Sequence, residues 1–136
     1  MLKAFEFYES KRQSGDIQFY GMATWLCFRA KEEEDNIYLS LQKCIELAEK
    51  VGGKDSHGFR FVQVPMSVMM SEAFLEKWQE FDDPAQSASM ALTDPEKKER
   101  KILVAVCNLL KMNLIASQPL IQGRAKEIDI PSIKDP

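Results

Sequence analysis

The chain has 136 residues, 45% of them hydrophobic, and a formal net charge of -3. That length and apolar content suit one domain with a core of its own. Acidic and basic residues are interspersed with no basic stripe or polybasic patch, which argues against nucleic acid or an anionic membrane as partner.

Residues 2 to 14 read as a helix, with Leu2, Phe5 and Tyr8 spaced toward one face. Ser14-Gly15-Asp16 breaks it and turns the chain into a first strand, Ile17 to Thr24. A polar loop runs on to Asn36 and includes Lys31-Glu32-Glu33-Glu34-Asp35, read as a solvated stretch. Ser40 is the expected N-cap of a second helix. Leu41, Cys44, Ile45, Ala48 and Val51 form its apolar stripe, and Gly52-Gly53 ends it. The central strand, residues 59 to 64, is rich in β-formers, and Pro65 closes it. Met66 to Phe81 reads as a helix or an irregular cover, and Asp82 to Leu92 as a loop. Thr93-Asp94-Pro95-Glu96 has the form of a capping box with an early-turn proline. The helix it opens is expected to turn Ile102, Leu103, Val106, Leu109 and Leu110 inward, with Asn113 in a left-handed turn at its end. Leu114 to Ser117 is the third strand, and Ala125 to Pro136 a loosely held tail.

The alternation β-α-β-α-β implies parallel strands and an α/β fold. In such sheets ligands bind at the carboxyl ends of the strands. The residues delivered there are Thr24, Gln63 and Ser117. A hydroxyl and an amide at adjacent strand ends match a ligand carboxamide, which needs one donor and one acceptor. Leu120 to Gly123, with Gln122 between them, would form a loop with free backbone N–H groups, and Arg124 adds a positive charge: a phosphate cradle.

Other chemistry is weakly represented. His57, the single histidine, precedes its strand and so falls on the opposite rim, where it reads as a surface loop residue. Tyr8, Tyr20 and Tyr38 read as packing residues. Ser67 and Ser117 lack a nucleophile elbow, and no H-E-x-x-H, Walker loop or G-x-G-x-x-G occurs. Asp82-Asp83 has no further metal ligands nearby in sequence. No catalytic and no metal-binding residue is assigned. Cys27, Cys44 and Cys107 are an odd, widely spaced set, which fits reduced thiols, with Cys44 and Cys107 in the core. The first residues do not form a signal or transit peptide, and no apolar run reaches membrane-spanning length, so the expected compartment is cytoplasmic.

The strand motifs carry a resemblance. Gly21-Met22-Ala23-Thr24-Trp25 is similar to the G-V-S-N-F strand of the aldo-keto reductase family. Val62-Gln63-Val64 is similar to its N-Q-V strand, and Ala116 to Gly123 to its A-Y-S-P-L-G-x-G strand and loop. Stretches such as GMATWLCFR, HGFRFVQVPMS and QPLIQGR resemble a divergent branch of that family. The resemblance implies a (β/α)8 barrel, NADP(H) as cofactor, and hydride transfer to or from a carbonyl or alcohol. It places Thr24 and Gln63 on the nicotinamide carboxamide, Ser117 where the family has its stacking tyrosine, and Leu120 to Gly123 on the pyrophosphate. A full barrel needs about 250 residues, so this chain would hold only strands five to seven. The family's catalytic Asp, Tyr, Lys and His have no counterpart in it. The expectation is a partial TIM-type barrel over residues 1–124 with a tail over 125–136. Its function would be that of an aldo-keto reductase-like oxidoreductase fragment, with a small-molecule carbonyl substrate if complete and no turnover by this chain alone. The alternative is a non-catalytic truncated paralogue, or an interaction module that pairs or self-associates through open strand edges.

Overall fold

A computed structural model describes residues 1–31, 36–82 and 99–119. Helix α1, Leu2–Gln13, ends on Lys11 and Arg12, cations that complement the negative end of its dipole. Phe5 and Glu9 are its buried residues; Leu2 and Tyr8, expected beside Phe5, are largely exposed. The Phe5 ring meets Tyr20 and Phe59 edge-on, at centroid distances of 6.0 and 5.4 Å.

Strand β1 is Tyr20–Ala23, shorter than the expected Ile17 to Thr24. The reason lies at the end of α1, where the backbone N–H groups of Asp16 and Ile17 fold back onto Lys11 O. The chain reaches the sheet only at Tyr20, whose N–H donates to Gly58 O at 2.9 Å, and the register shifts between Tyr20 and Gly21.

A 3-10 turn, Cys27–Arg29, precedes helix α2, Leu41–Gly52. Ser40 caps α2 as expected, its Oγ accepting from Lys43 N–H at 3.3 Å. At the other end Gly53 has φ +87°, a conformation that a side chain would strain, and its N–H returns to Glu49 O. Leu41, Cys44, Ile45 and Ala48 are buried and Val51 half-buried, which is the stripe read from the spacing.

Strand β2 is Phe59–Pro65. The following stretch is the irregular cover rather than a long helix. It holds a one-turn helix α3, Glu72–Leu75, and a two-residue strand β3, Gln79–Glu80. Strand β3 pairs antiparallel with β4, Arg100–Lys101. That pairing corrects the expected helix from Thr93: the next described helix, α4, spans only Leu103–Leu109, and residues 93–98 lie outside the described ones. It buries Leu103, Val106 and Cys107, but Leu109 is exposed. The left-handed residue after it is Lys111, at φ +54°, not Asn113. Asn113 instead opens strand β5, Asn113–Ser117.

The three strands are parallel, in the order β1-β2-β5. Register runs Met22–Val62–Leu114 and Ala23–Gln63–Ile115 across the sheet. Val62 and Val64 join Phe5, the α2 stripe and the buried residues of α4 in one hydrophobic core. The alternate row, Ala23, Gln63 and Ile115, is exposed. Successive strand residues point to opposite faces, so the helices cover one face and leave the other largely bare. The described residues form an open three-stranded sheet, not a closed barrel. None of their helices is long and apolar enough to cross a membrane. Of the expected loop from Asp82 to Leu92 only Asp82 is described, outside any helix or strand, and the tail over 125–136 lies outside the described residues.

Candidate functional site

The carboxyl rim assembles as the strand pattern requires. Thr24 N–H donates to Gln63 O at 3.0 Å, which sets Thr24 against the end of the central strand. Ser117 pairs with Pro65, and its carbonyl accepts from Met66 N–H at 3.0 Å. Thr24 and Gln63 are therefore neighbours through their backbones, while Ser117 stands opposite Pro65, two residues farther along the strand than Gln63. The Gln63 amide is exposed. Thr24 Oγ1 and Ser67 Oγ are buried, with no hydrogen-bond partner among the described residues. A buried hydroxyl without a partner is costly, so two of them near one rim mark positions suited to a polar ligand. Ser67 was not singled out from sequence as a binding residue. Exposed apolar side chains follow both strands: Trp25 and Leu26 after β1, Val68 and Met69 after β2. Leu120, Gln122 and Gly123, with Arg124, lie outside the described residues.

The amino-terminal rim holds a buried carboxylate that the sequence reading missed. Glu9 is 1% exposed. Its Oε1 accepts from Gly58 N–H at 2.6 Å and from the Tyr20 hydroxyl at 2.8 Å. Its Oε2 accepts from Arg12 Nε at 2.7 Å. Burial pulls the Glu9 carboxyl upward, but these hydrogen bonds and the Arg12 charge outweigh it and hold it below its ordinary value. Two glycines make the room: a Cβ on Gly52 would meet the Glu9 carboxylate at 2.6 Å, and one on Gly58 would meet Arg12 Cδ at 2.5 Å. The available signal was helical spacing, since Phe5 and Glu9 are four apart and share a face.

The same rim corrects the reading of His57. It is buried, not a surface residue. Burial and the neighbouring Arg60 charge push its pKa down, against weaker pulls from Glu49 and Glu9. Arg60 Nη1 lies 3.0 Å from His57 Nδ1 and also donates to Phe59 O. Tyr20 does pack, as expected, but its hydroxyl is committed to Glu9. Burial first, then the Glu9 bond and charge, push that hydroxyl well above its ordinary value. Burial likewise pushes the Cys44 and Cys107 thiols up to about 12, so neither is a ready nucleophile. All three cysteines are free, and no cluster of three or more metal-ligating side chains occurs among the described residues.

Compared with known proteins, the chain matches no family model, no curated protein and no solved structure. None of these comparisons supports the resemblance to aldo-keto reductases.

Proposed function

We propose that the chain is the part of an aldo-keto reductase-like (β/α)8 oxidoreductase that carries strands five to seven. Its carboxyl rim would contact NADP(H), and the chain alone would not turn over. The observation that carries this reading is the rim itself. Thr24 N–H donates to Gln63 O at parallel strand ends, the Gln63 amide is exposed, and the buried Thr24 Oγ1 has no partner among the described residues. These residues fit a carboxamide: the Gln63 amide offers a donor and an acceptor, and the Thr24 hydroxyl either. Ser117 supplies no ring for stacking, so binding rests on hydrogen bonds there. When bound, NADP(H) supplies the hydride of a carbonyl reduction. The alkoxide it leaves needs a positioned acid. Tyr20, the one buried tyrosine, already donates to Glu9 on the other rim and holds its proton tightly.

Titration of the chain with NADPH, followed by cofactor fluorescence, tests the reading. The expected result is weak saturable binding that Gln63→Ala weakens about three- to tenfold, the worth of one good hydrogen bond. Lys3→Ala, on the exposed side of α1, should leave it unchanged. Absent binding, or binding indifferent to Gln63, would remove the reading.

A second reading is favoured by one observation. Strands β1 and β5 are the outer strands of the sheet among the described residues, and Ile115 is exposed on its bare face. An interaction module pairing with another chain would use those features.

A further inference from the structure

The amino-terminal rim carries a cleft of about 390 Å³, of the size that holds a small ligand. Ile45, Leu109 and Leu110 give it an apolar wall, and Glu49, Asp55, Arg60 and Lys111 give it charge. The two acids and two bases cancel. Among the described residues, Glu49, Asp55 and Lys111 enter no ion pair and no side-chain hydrogen bond. Among the described residues Arg60 is engaged only through Nη1, to His57 and Phe59 O, and its Nε and Nη2 donors have no partner there.

The backbone at the lip is a separate observation. Asp55 and Lys111 hold left-handed φ values of +65° and +54°. Lys111 follows α4 at the place where glycine is the cheap residue. Strained positions that carry charged side chains point toward a use for those side chains.

A simple anion in this cleft would face Glu49 and Asp55, and a simple cation would face Arg60 and Lys111. A ligand bearing both charges satisfies both sides. Glu49 also sits in the last turn of α2, whose carbonyl end adds negative potential for an ammonium group. We infer that this cleft binds a small dipolar ion, a free α-amino acid with a branched apolar side chain. Its ammonium lies toward Glu49 and Asp55, its carboxylate toward Arg60 and Lys111, and its side chain against Ile45, Leu109 and Leu110.

The experiment is a calorimetric and NMR titration of the folded chain with L-leucine, 4-methylpentanoate and 3-methylbutylamine. Leucine should bind saturably in the millimolar range, and each singly charged analogue about tenfold more weakly. Glu49→Gln and Lys111→Gly should each weaken leucine about fivefold. Lys111→Gly should also raise the melting temperature, because it relieves the left-handed backbone; that separates lost binding from lost folding. Gln63→Ala, on the opposite rim, should leave leucine binding intact, so this result stands apart from the NADPH titration. No saturable leucine signal, equal binding of either analogue, or indifference to both substitutions would overturn the assignment.

Discussion

Glu9, His57 and Thr24 each sit where their residue type is expensive, and each makes the cost measurable. Glu9 contributes as a carboxylate that accepts three hydrogen bonds. Its folded pKa lies below its ordinary 4.5. Its contribution is therefore present above about that pH and is lost as pH falls below it. The sign for His57 is set the same way. Its folded pKa lies below 6.5, so the unfolded chain binds more protons and stability declines as pH drops below 6.5. Urea unfolding across pH should therefore show a level region above 6.5, a first decline beneath it, and a second below 4.5. His57→Gln should remove the first decline and spare the second; a profile unchanged by that substitution would show that His57 is not the titrating group. Thr24 works in the opposite direction. Thr24→Val keeps the shape and deletes a buried, unpartnered hydroxyl. It should raise the stability of the free chain by about 1 kcal/mol while weakening NADPH binding. Loss of stability in Thr24→Val would mean that the hydroxyl is satisfied within the chain.

At the scale of elements, the start of α2 is held by more than its cap. Gln79, buried in β3, accepts from Leu41 N–H through Oε1 at 2.9 Å. Its Nε2 donates to Phe28 O and Leu39 O at 3.1 and 3.0 Å. One side chain thus ties the 3-10 turn, the approach to α2 and the helix N-terminus to the β3–β4 ribbon. Gln79→Ala would leave three backbone groups unpaired, two of them buried and one half-buried, and should cost about 3 kcal/mol. Ser40→Ala should cost about 1 kcal/mol. Equal midpoint shifts in denaturant titrations would place the anchor elsewhere. This hierarchy was only half legible in the sequence. The Ser40 cap, the α2 stripe and the Gly53 stop are local signals, and the structure follows them. So does the strand alternation, which places Thr24, Gln63 and Ser117 on one rim. Gln79, by contrast, bonds to residues 38 to 51 positions away, which no local pattern encodes. The start of α4 was misread for a similar reason. Arg100 and Lys101 have no aversion to helix, but pairing with Glu80 and Gln79 draws them into a strand. Glu9 is buried because Gly52 leaves room for its carboxylate and Gly58 for the Arg12 that pairs with it, and both glycines are remote from it in sequence.

At the scale of the molecule, the sheet has one finished face and one unfinished face. Val62 and Val64 lie in the core that the helices complete. On the other side Gln63 and Ala23 are exposed, Ile115 is 44% exposed, and Phe61 is only half-buried. Phe19, just before β1, is 48% exposed. The outer edges of β1 and β5 add N–H and C=O groups with no neighbouring strand among the described residues. Apolar side chains next to open edges favour association of the sheet with another surface. The purified chain should therefore self-associate, its apparent mass in sedimentation velocity rising with concentration. Ile115→Lys tests whether this face is the cause. Because Ile115 lies outside the core, the substitution should change unfolding stability by no more than about 0.5 kcal/mol. It should nevertheless lower the apparent mass at a given concentration, since each association would bury a charge. A chain that sediments as a monomer over a wide concentration range and unfolds in one cooperative transition would mean that the bare face is tolerated in water. The partial-barrel reading would then give way to a small α/β domain sufficient in itself, and the oxidoreductase proposal would lose the architecture it rests on.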